Sequence, residues 1–245
     1  MPIEPKDARA IPNPSLRLYE EDAESSVEIN LLGSLTDAEY EAVRNASNLK
    51  SFAPGELVFR QGDHHDGIFV ILSGQVRSYS TGPSGREITL AYWSPGNFVG
   101  GPEIFGGSPH VWSGQAVRHS QVLHINGAEL RRLVETIPRF AVGLIEASAH
   151  KGKCYSALIQ MLGTRSAAER LAQLLLLMAE LDGRRTPEGL VISRTLTQED
   201  LAKMIGATRQ WVTTSLDRFR EQGVVETKPN KIIILNEDAL HRLAG

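Results

Sequence analysis

The sequence predicts an α+β chain: an N-terminal antiparallel jelly-roll barrel, one long helix and a C-terminal winged helix-turn-helix. Three observations predict it. Residues 50–126 are short apolar or alternating runs punctuated by glycine, the texture of a sandwich or barrel. Residues 138–163 carry one long helical pattern with two apolar stripes. Residues 196–216 read as two short helices meeting at Gly206, with a hairpin pattern behind them.

A chain of 245 residues suits two domains of ordinary size. Apolar content of 41% and charged content of 22% are those of a water-soluble globular protein. No apolar run approaches the ~20 residues that span a bilayer. The start, Met1 to Asp7, lacks the basic-then-apolar build of a secretion signal, so the expected compartment is the cytoplasm, with no membrane partner. A single cysteine, Cys154, excludes an internal disulfide and a four-cysteine metal or iron–sulfur site. Net charge is −3, but it is unevenly spread: residues 164–245 hold 12 basic against 11 acidic side chains. Phosphate contact is local, so the balance around the helix-turn-helix matters more than the sum.

Taken in order, residues 1–30 contain four prolines and little periodicity, and are expected to form a flexible arm. Thr36 and Glu39 make a capping box for a helix to about Ser47, packed by Tyr40 and Val43. The barrel domain spans residues 31–137. Its expected strands are 57–59, 67–72, 75–79, 88–92 and 121–125, with turns at Ser73-Gly74, at Gly85 and at Gly96. A brief helix is expected over 127–136.

The long helix, residues 138–163, has one stripe of Phe140, Leu144, Ala147, Leu158 and Met161 that suits burial on the barrel. The other stripe, Val142, Ile145, Ala149, Gly152, Ser156 and Ile159, repeats at alternating spacings of three and four. That is a heptad seam with small residues at its middle, as expected of a two-fold dimer. The alternative is one helix buried twice within a monomer.

Residues 164–245 form the last domain. Ser166 and Glu169 cap a helix, residues 181–188 are expected to be a loop, and residues 224–227 and 232–235 form the wing hairpin. Within the helix-turn-helix, Thr197 and Asp200 form a capping box, Leu201, Met204 and Ile205 line one face, and Gly206 ends the helix. Thr208 caps the second helix, whose Val212, Leu216 and Phe219 face inward. Arg209, Gln210, Thr213 and Thr214 are left outward on its first turns. In such a motif that end of the helix reaches base edges in the DNA major groove.

With these elements in place the chain resembles the Crp/Fnr superfamily of bacterial transcription regulators. The residues that carry the resemblance are Phe59 to Asp63, Gly67 to Val76, Ser94 to Gly100, Arg170-Leu171-Ala172 and the helix-turn-helix. The resemblance implies a cyclic-nucleotide-binding-type barrel, a dimer helix, and a winged helix that is repositioned by an effector. It also implies double-stranded DNA with a palindromic site, and RNA polymerase, as partners. Arg209 falls where the family has an arginine that reads guanine, a contact suited to a guanidinium. Gln210 and Thr214 depart from the cyclic-AMP-responsive pattern and are expected to read different base pairs. Thr208, Thr213 and Lys203 are expected phosphate contacts.

The resemblance also places an effector cassette at Gly100, Gly101, Pro102, Glu103, Val111 and Trp112, completed by Tyr155 and Ser156 of the long helix. Gly101 stands where cyclic AMP binders have a ribose-binding glutamate. Val111 and Trp112 stand where they have the arginine and serine that hold the phosphate. Losing the bidentate guanidinium contact argues against cyclic AMP. The apolar replacements suit another small molecule, or a barrel filled by its own side chains. A haem-responsive reading would use His110, His119 or His124, and a redox reading Cys154; in each case the ordinary role is packing. No cofactor is predicted. A barrel metalloenzyme would need clustered histidines, but His64 and His65 are adjacent and expected in an exposed turn, and no catalytic signature is present. An effector-independent DNA binder is a further alternative.

Overall fold

The computed structural model describes residues 30–192, 197–229 and 231–245, so the predicted arm lies outside the described residues except for Asn30. The described residues divide into two compact units, residues 30–85 with 90–156, and residues 157–245 with 86–89.

The first unit opens with helix α1 (Asp37–Asn45), whose Thr36–Glu39 capping box is present and which buries Tyr40 and Val43. Eight strands follow: β1 (Asn48–Phe52), β2 (Leu57–Phe59), β3 (Ile68–Ser73), β4 (Val76–Thr81), β5 (Glu87–Trp93), β6 (Phe98–Val99), β7 (Ser113–Ala116) and β8 (Ser120–Ile125). They form two four-stranded sheets, ordered β1-β8-β3-β6 and β2-β7-β4-β5. Strand β3 shows why its apolar run is unbroken. Ile68 and Val70 join an outer core with Leu123, Ile125, Leu130, Leu133, Phe140 and Leu144. Phe69 and Ile71 point the other way, into the barrel with Val76, Trp93, Val99 and Val122. Side chains alternate across a strand, so a strand covered on both faces must be apolar throughout. Register is antiparallel, with Val70 opposite Leu123 and Phe69 opposite His124. Helices α2 (Gly127–Thr136) and α3 (Pro138–Thr164) close the outer core.

Phe140, Leu144 and Ala147 of α3 lie in that outer core, as the first stripe predicts. The seam stripe is exposed: Val142 at 53%, Ile145 at 68% and Ile159 at 70%, with Ala149, Gly152 and Ser156 also open.

The second unit contains α4 (Ala167–Asp182), β9 (Gly183–Thr186), β10 (Gly189–Ile192), α5 (Gln198–Ile205), α6 (Arg209–Glu221), β11 (Val225–Lys228), β12 (Lys231–Ile234) and α7 (Glu237–Ala244). The expected loop over 181–188 is corrected here: α4 extends to Asp182, and β9 pairs with β10. Strand β9 reads Gly-Arg-Arg-Thr and has no apolar face. It is held by backbone pairing at a sheet edge, with Arg185 ion-paired to Glu237 at 2.6 Å. Strand β10 adds the hairpin to the wing by pairing with β12, Leu190 opposite Ile234. Helix α7, capped by Asn236 and anchored by buried Leu240, also lies beyond the elements the sequence predicted. Among the described residues no helix is long and apolar enough to cross a membrane.

Candidate functional site

Helix α5 begins at Thr197, whose hydroxyl accepts from the Asp200 amide while the Asp200 carboxylate accepts from the Thr197 amide at 2.9 Å. It ends at Gly206, in the left-handed region with φ 64°. Leu201, Ala202, Met204 and Ile205 are buried. The Ile205 carbonyl, left open at the helix end, accepts from Arg170 Nε at 2.8 Å, and another Arg170 nitrogen donates to the Arg165 carbonyl. Arg170 therefore ties α4 to the turn, a role the sequence reading did not assign; its signal was a basic residue beside the apolar pair Leu171-Ala172. A Gly206→Ala change puts a side chain into a left-handed conformation and is expected to cost about 1 kcal/mol. The urea midpoint of the full chain measures it.

Helix α6 is capped by Thr208, which accepts from the Trp211 amide at 3.2 Å. Val212, Ser215, Leu216 and Phe219 are its buried face. Thr208, Arg209, Gln210 and Thr214 are exposed on the opposite side. Thr213 is half-buried: its hydroxyl lies 2.5 Å from Gln198 Oε1 and 3.0 Å from the Arg209 carbonyl. That hydroxyl locks α6 onto α5. Lys203 is half-buried on α5, with its ammonium 3.1 Å from Glu87 and 3.9 Å from Glu199. In the wing, Lys228 lies 3.2 Å from Glu188 and 3.7 Å from Glu226, and Lys231 lies 3.9 Å from Glu188. The Glu188 carboxylate lifts the Lys228 ammonium above the usual lysine range. Unlike these paired lysines, Arg209 projects from the open end of a helix fixed at its cap and along its buried face.

In the barrel, Gly100 and Gly101 are buried against histidines. His65 Nε2 is 2.7 Å from the Gly67 carbonyl, and His110 Nδ1 is 2.7 Å from the Gly100 carbonyl. The two imidazoles are 4.3 Å apart at their centroids, and His110 stacks on Phe59 at 4.4 Å. Burial pushes the His110 imidazole below its ordinary value, against the opposing pull of the Gly100 carbonyl. The expectation that both His64 and His65 are exposed is corrected: His64 is, but His65 is 2% exposed. Glycine at 100 and 101 leaves room for the ring. Among the described residues no group of three or more His, Cys, Asp or Glu side chains could hold a metal ion.

Comparison with known proteins follows this division. Residues 49–137 match the cyclic nucleotide-binding domain, and residues 169–243 match the Crp-like helix-turn-helix domain. Together the two spans cover more than half of the chain. The chain is 29% identical over 196 residues to electron transport regulator A of Shewanella oneidensis, covering 80% of this chain and 78% of that protein. It is 26% identical over 193 residues to the CRP-like cAMP-activated global transcriptional regulator of Mycobacterium tuberculosis, covering 79% and 86%. The same fold occurs in a variant of CooA from Carboxydothermus hydrogenoformans, with a TM-score of 0.72 and 23% identity over 89% of this chain and 97% of that one. The chain belongs to the Crp/Fnr superfamily of transcription regulators. Its relatives are regulators, not enzymes.

A Cβ added at Gly101 would lie 3.1 Å from His65 Cε1, so the imidazole occupies the side on which a longer residue would project. Pro102, Glu103, Val111 and Ser156 are exposed. Trp112 and Tyr155 do meet, with ring centroids 5.5 Å apart, and Tyr155 in turn lies edge-on to Trp93 at 6.4 Å. His124 stacks on Phe69, and burial lowers its imidazole while the Asp66 carbonyl opposes the shift. His119 is exposed. No sequence motif singles out Lys151. It is 9% exposed, on the face of α3 that carries Phe140, Leu144 and Ala147. Its signal was a lysine four residues beyond Ala147, within an apolar stripe.

Proposed function

We propose that this regulator reads a palindromic DNA site as a homodimer, with Arg209, Gln210 and Thr214 on base edges and Thr208 on the phosphate backbone. The observation that carries the reading is the exposed N-terminal end of α6, set over a buried Val212, Leu216 and Phe219 face. A guanidinium in that position matches O6 and N7 of guanine. Thr213 holds α6 to α5 through Gln198, and Lys203 is paired with Glu87 and Glu199, so both serve phosphates only after leaving these partners. The protein acts in the cytoplasm and engages RNA polymerase at its promoters.

The effector in the barrel is a small molecule other than cyclic AMP, and it repositions the DNA-binding domains. The Mycobacterium tuberculosis relative is cAMP-activated by name. Here Gly101, Val111 and Trp112 supply neither a carboxylate for a ribose nor a guanidinium for a phosphate. A haem or thiol response, and DNA binding without an effector, are weaker readings: His110 and His124 are engaged by carbonyls, and Cys154 packs beside the barrel core.

Site selection from random DNA, followed by affinity measurement on single-base variants, tests the reading. Arg209→Ala is expected to lose about 1–3 kcal/mol on the selected site and to relax preference at one base pair per half-site. A loss of equal size on every sequence would make Arg209 a phosphate contact and overturn its assignment.

A further inference from the structure

The tip of the wing breaks a rule that β-hairpins normally keep. Lys228 and Lys231 are cross-strand partners at the end of β11 and β12, so two ammonium groups sit opposite each other beside the turn. Like charges directly opposite destabilise a strand pair. Glu188, on the turn between β9 and β10, relieves the clash. Its carboxylate lies 3.2 Å from Lys228 Nζ and 3.9 Å from Lys231 Nζ, and Glu226 lies 3.7 Å from Lys228. The hydrogen bond from Lys228 and the charges of both lysines hold the Glu188 carboxyl below its usual range, so it is ionised at neutral pH. The turn that carries it is built to reach the wing. The Thr186 hydroxyl accepts from the Glu188 amide at 3.2 Å and donates to the Gly189 carbonyl at 3.0 Å. Gly189 has φ 132°, and a Cβ there would lie 2.5 Å from the Ile234 carbonyl oxygen, so glycine is what lets this turn pack onto β12. The wing in turn stands beside the reading helix. The amides of Gly223 and Val224 close the end of α6 on the Arg220 and Phe219 carbonyls, and β11 then packs against that helix.

We propose that Glu188 competes with DNA phosphates for the two wing lysines, and that it thereby lowers the protein's sequence-independent grip on duplex DNA. The inference rests on the reading of this domain as a DNA binder. Lys228, Glu188 and Lys231 keep 36%, 57% and 38% of their side-chain surface, and ion pairs this exposed are weak and screened by salt. A phosphate oxygen can therefore displace the carboxylate from either ammonium. The displaced carboxylate stays beside the DNA and repels it. An ammonium on a flexible stem acts as a point charge, so these lysines supply affinity and orientation rather than base readout. Weakening that contribution leaves the base contacts of α6 untouched and raises the ratio of specific to non-specific binding.

The test is the salt dependence of binding of the full chain to a duplex of arbitrary sequence, so no operator assignment enters it. Fluorescence anisotropy of the labelled duplex is followed from about 50 to 200 mM salt, where phosphate contacts dominate the change. Glu188→Gln is expected to bind about tenfold more tightly at the low end and to steepen the salt slope by about 1 per protomer. The double variant Lys228→Met/Lys231→Met should bind more weakly than wild type, and adding Glu188→Gln to it should restore nothing. A gain from Glu188→Gln that survives without the lysines is general charge repulsion and overturns the proposal. Unchanged affinity and slope in Glu188→Gln overturn it too, while duplex binding by wild type upholds the DNA reading. Absence of salt-dependent duplex binding by wild type would overturn both.

Discussion

Lys151→Met is expected to make the unliganded protein more stable than wild type at pH 6 by about 2–4 kcal/mol, with the difference vanishing near pH 10.5. The reason is proton linkage. Burial lowers the folded-state ammonium to about 7 from the ordinary 10.5. Below about 7 the folded chain must hold a charge that water solvates better, and the penalty is present in full. Between about 7 and 10.5 the unfolded chain binds a proton that the folded chain does not, so wild-type stability rises with pH across that window. Above 10.5 both states are neutral and the penalty is gone. At about 1.4 kcal/mol per unit, the ceiling is about 5 kcal/mol. Attraction of the ammonium to the desolvated Trp93 face opposes this by about 2 kcal/mol. Methionine keeps the length and fills the space without the charge. Thermal unfolding of both proteins between pH 6 and 10.5 measures the effect. A variant less stable than wild type at pH 6 would mean that the charge has a partner, and the penalty argument would fail.

That a lysine should occupy this stripe at all shows where the sequence was readable and where it was not. The pattern of β3 was legible because the strand is apolar on two faces and bounded by turns, and that of β8 because Val122, Leu123 and Ile125 cluster in one short run. The caps at Thr36, Ser166, Thr197 and Thr208 were legible because a hydroxyl or carboxylate at fixed spacing satisfies specific amides. Strand β7, reading Ser-Gly-Gln-Ala, and strand β9, reading Gly-Arg-Arg-Thr, carry no such message. They exist because neighbouring strands offer them backbone partners, which is a tertiary fact. His65 illustrates the same limit in the site. The sequence places it in a polar turn, but the absence of a side chain at Gly100 and Gly101 admits its ring to the interior. In the effector cassette the replacements at Gly101, Val111 and Trp112 could be read singly. Which of them share a space depends on how α3 meets the barrel. The face of α3 was assigned from its apolar residues, and Lys151 fell out of that pattern because it is not apolar.

The opposite face of α3 leads to the other large expected effect. Ile145→Asp is expected to convert the protein to a monomer at micromolar concentration and to weaken binding to a palindromic site by about 10²–10⁴-fold. Val142, Ile145 and Ile159 are more than half exposed, in line with the small residues Ala149 and Gly152. Large aliphatic side chains aligned on one open helix face are unusual for a monomer surface, and burying each is worth about 1.5–3 kcal/mol. A two-fold interface uses the same residue from both copies, so one substitution introduces two carboxylates facing an apolar seam. The DNA loss follows from linkage of two weak contacts, since each α6 reads only a half-site and the second gains from tethering to the first. Affinity for an isolated half-site should therefore be nearly unchanged. Analytical sedimentation gives the first quantity and titration of whole and half sites the second. If Ile145→Asp sediments as a dimer, or loses half-site and whole-site affinity equally, the seam is not what joins the two DNA-reading helices. The two faces of α3 then separate cleanly by experiment: Lys151 should alter stability with the dimer intact, and Ile145 should alter assembly with the barrel intact.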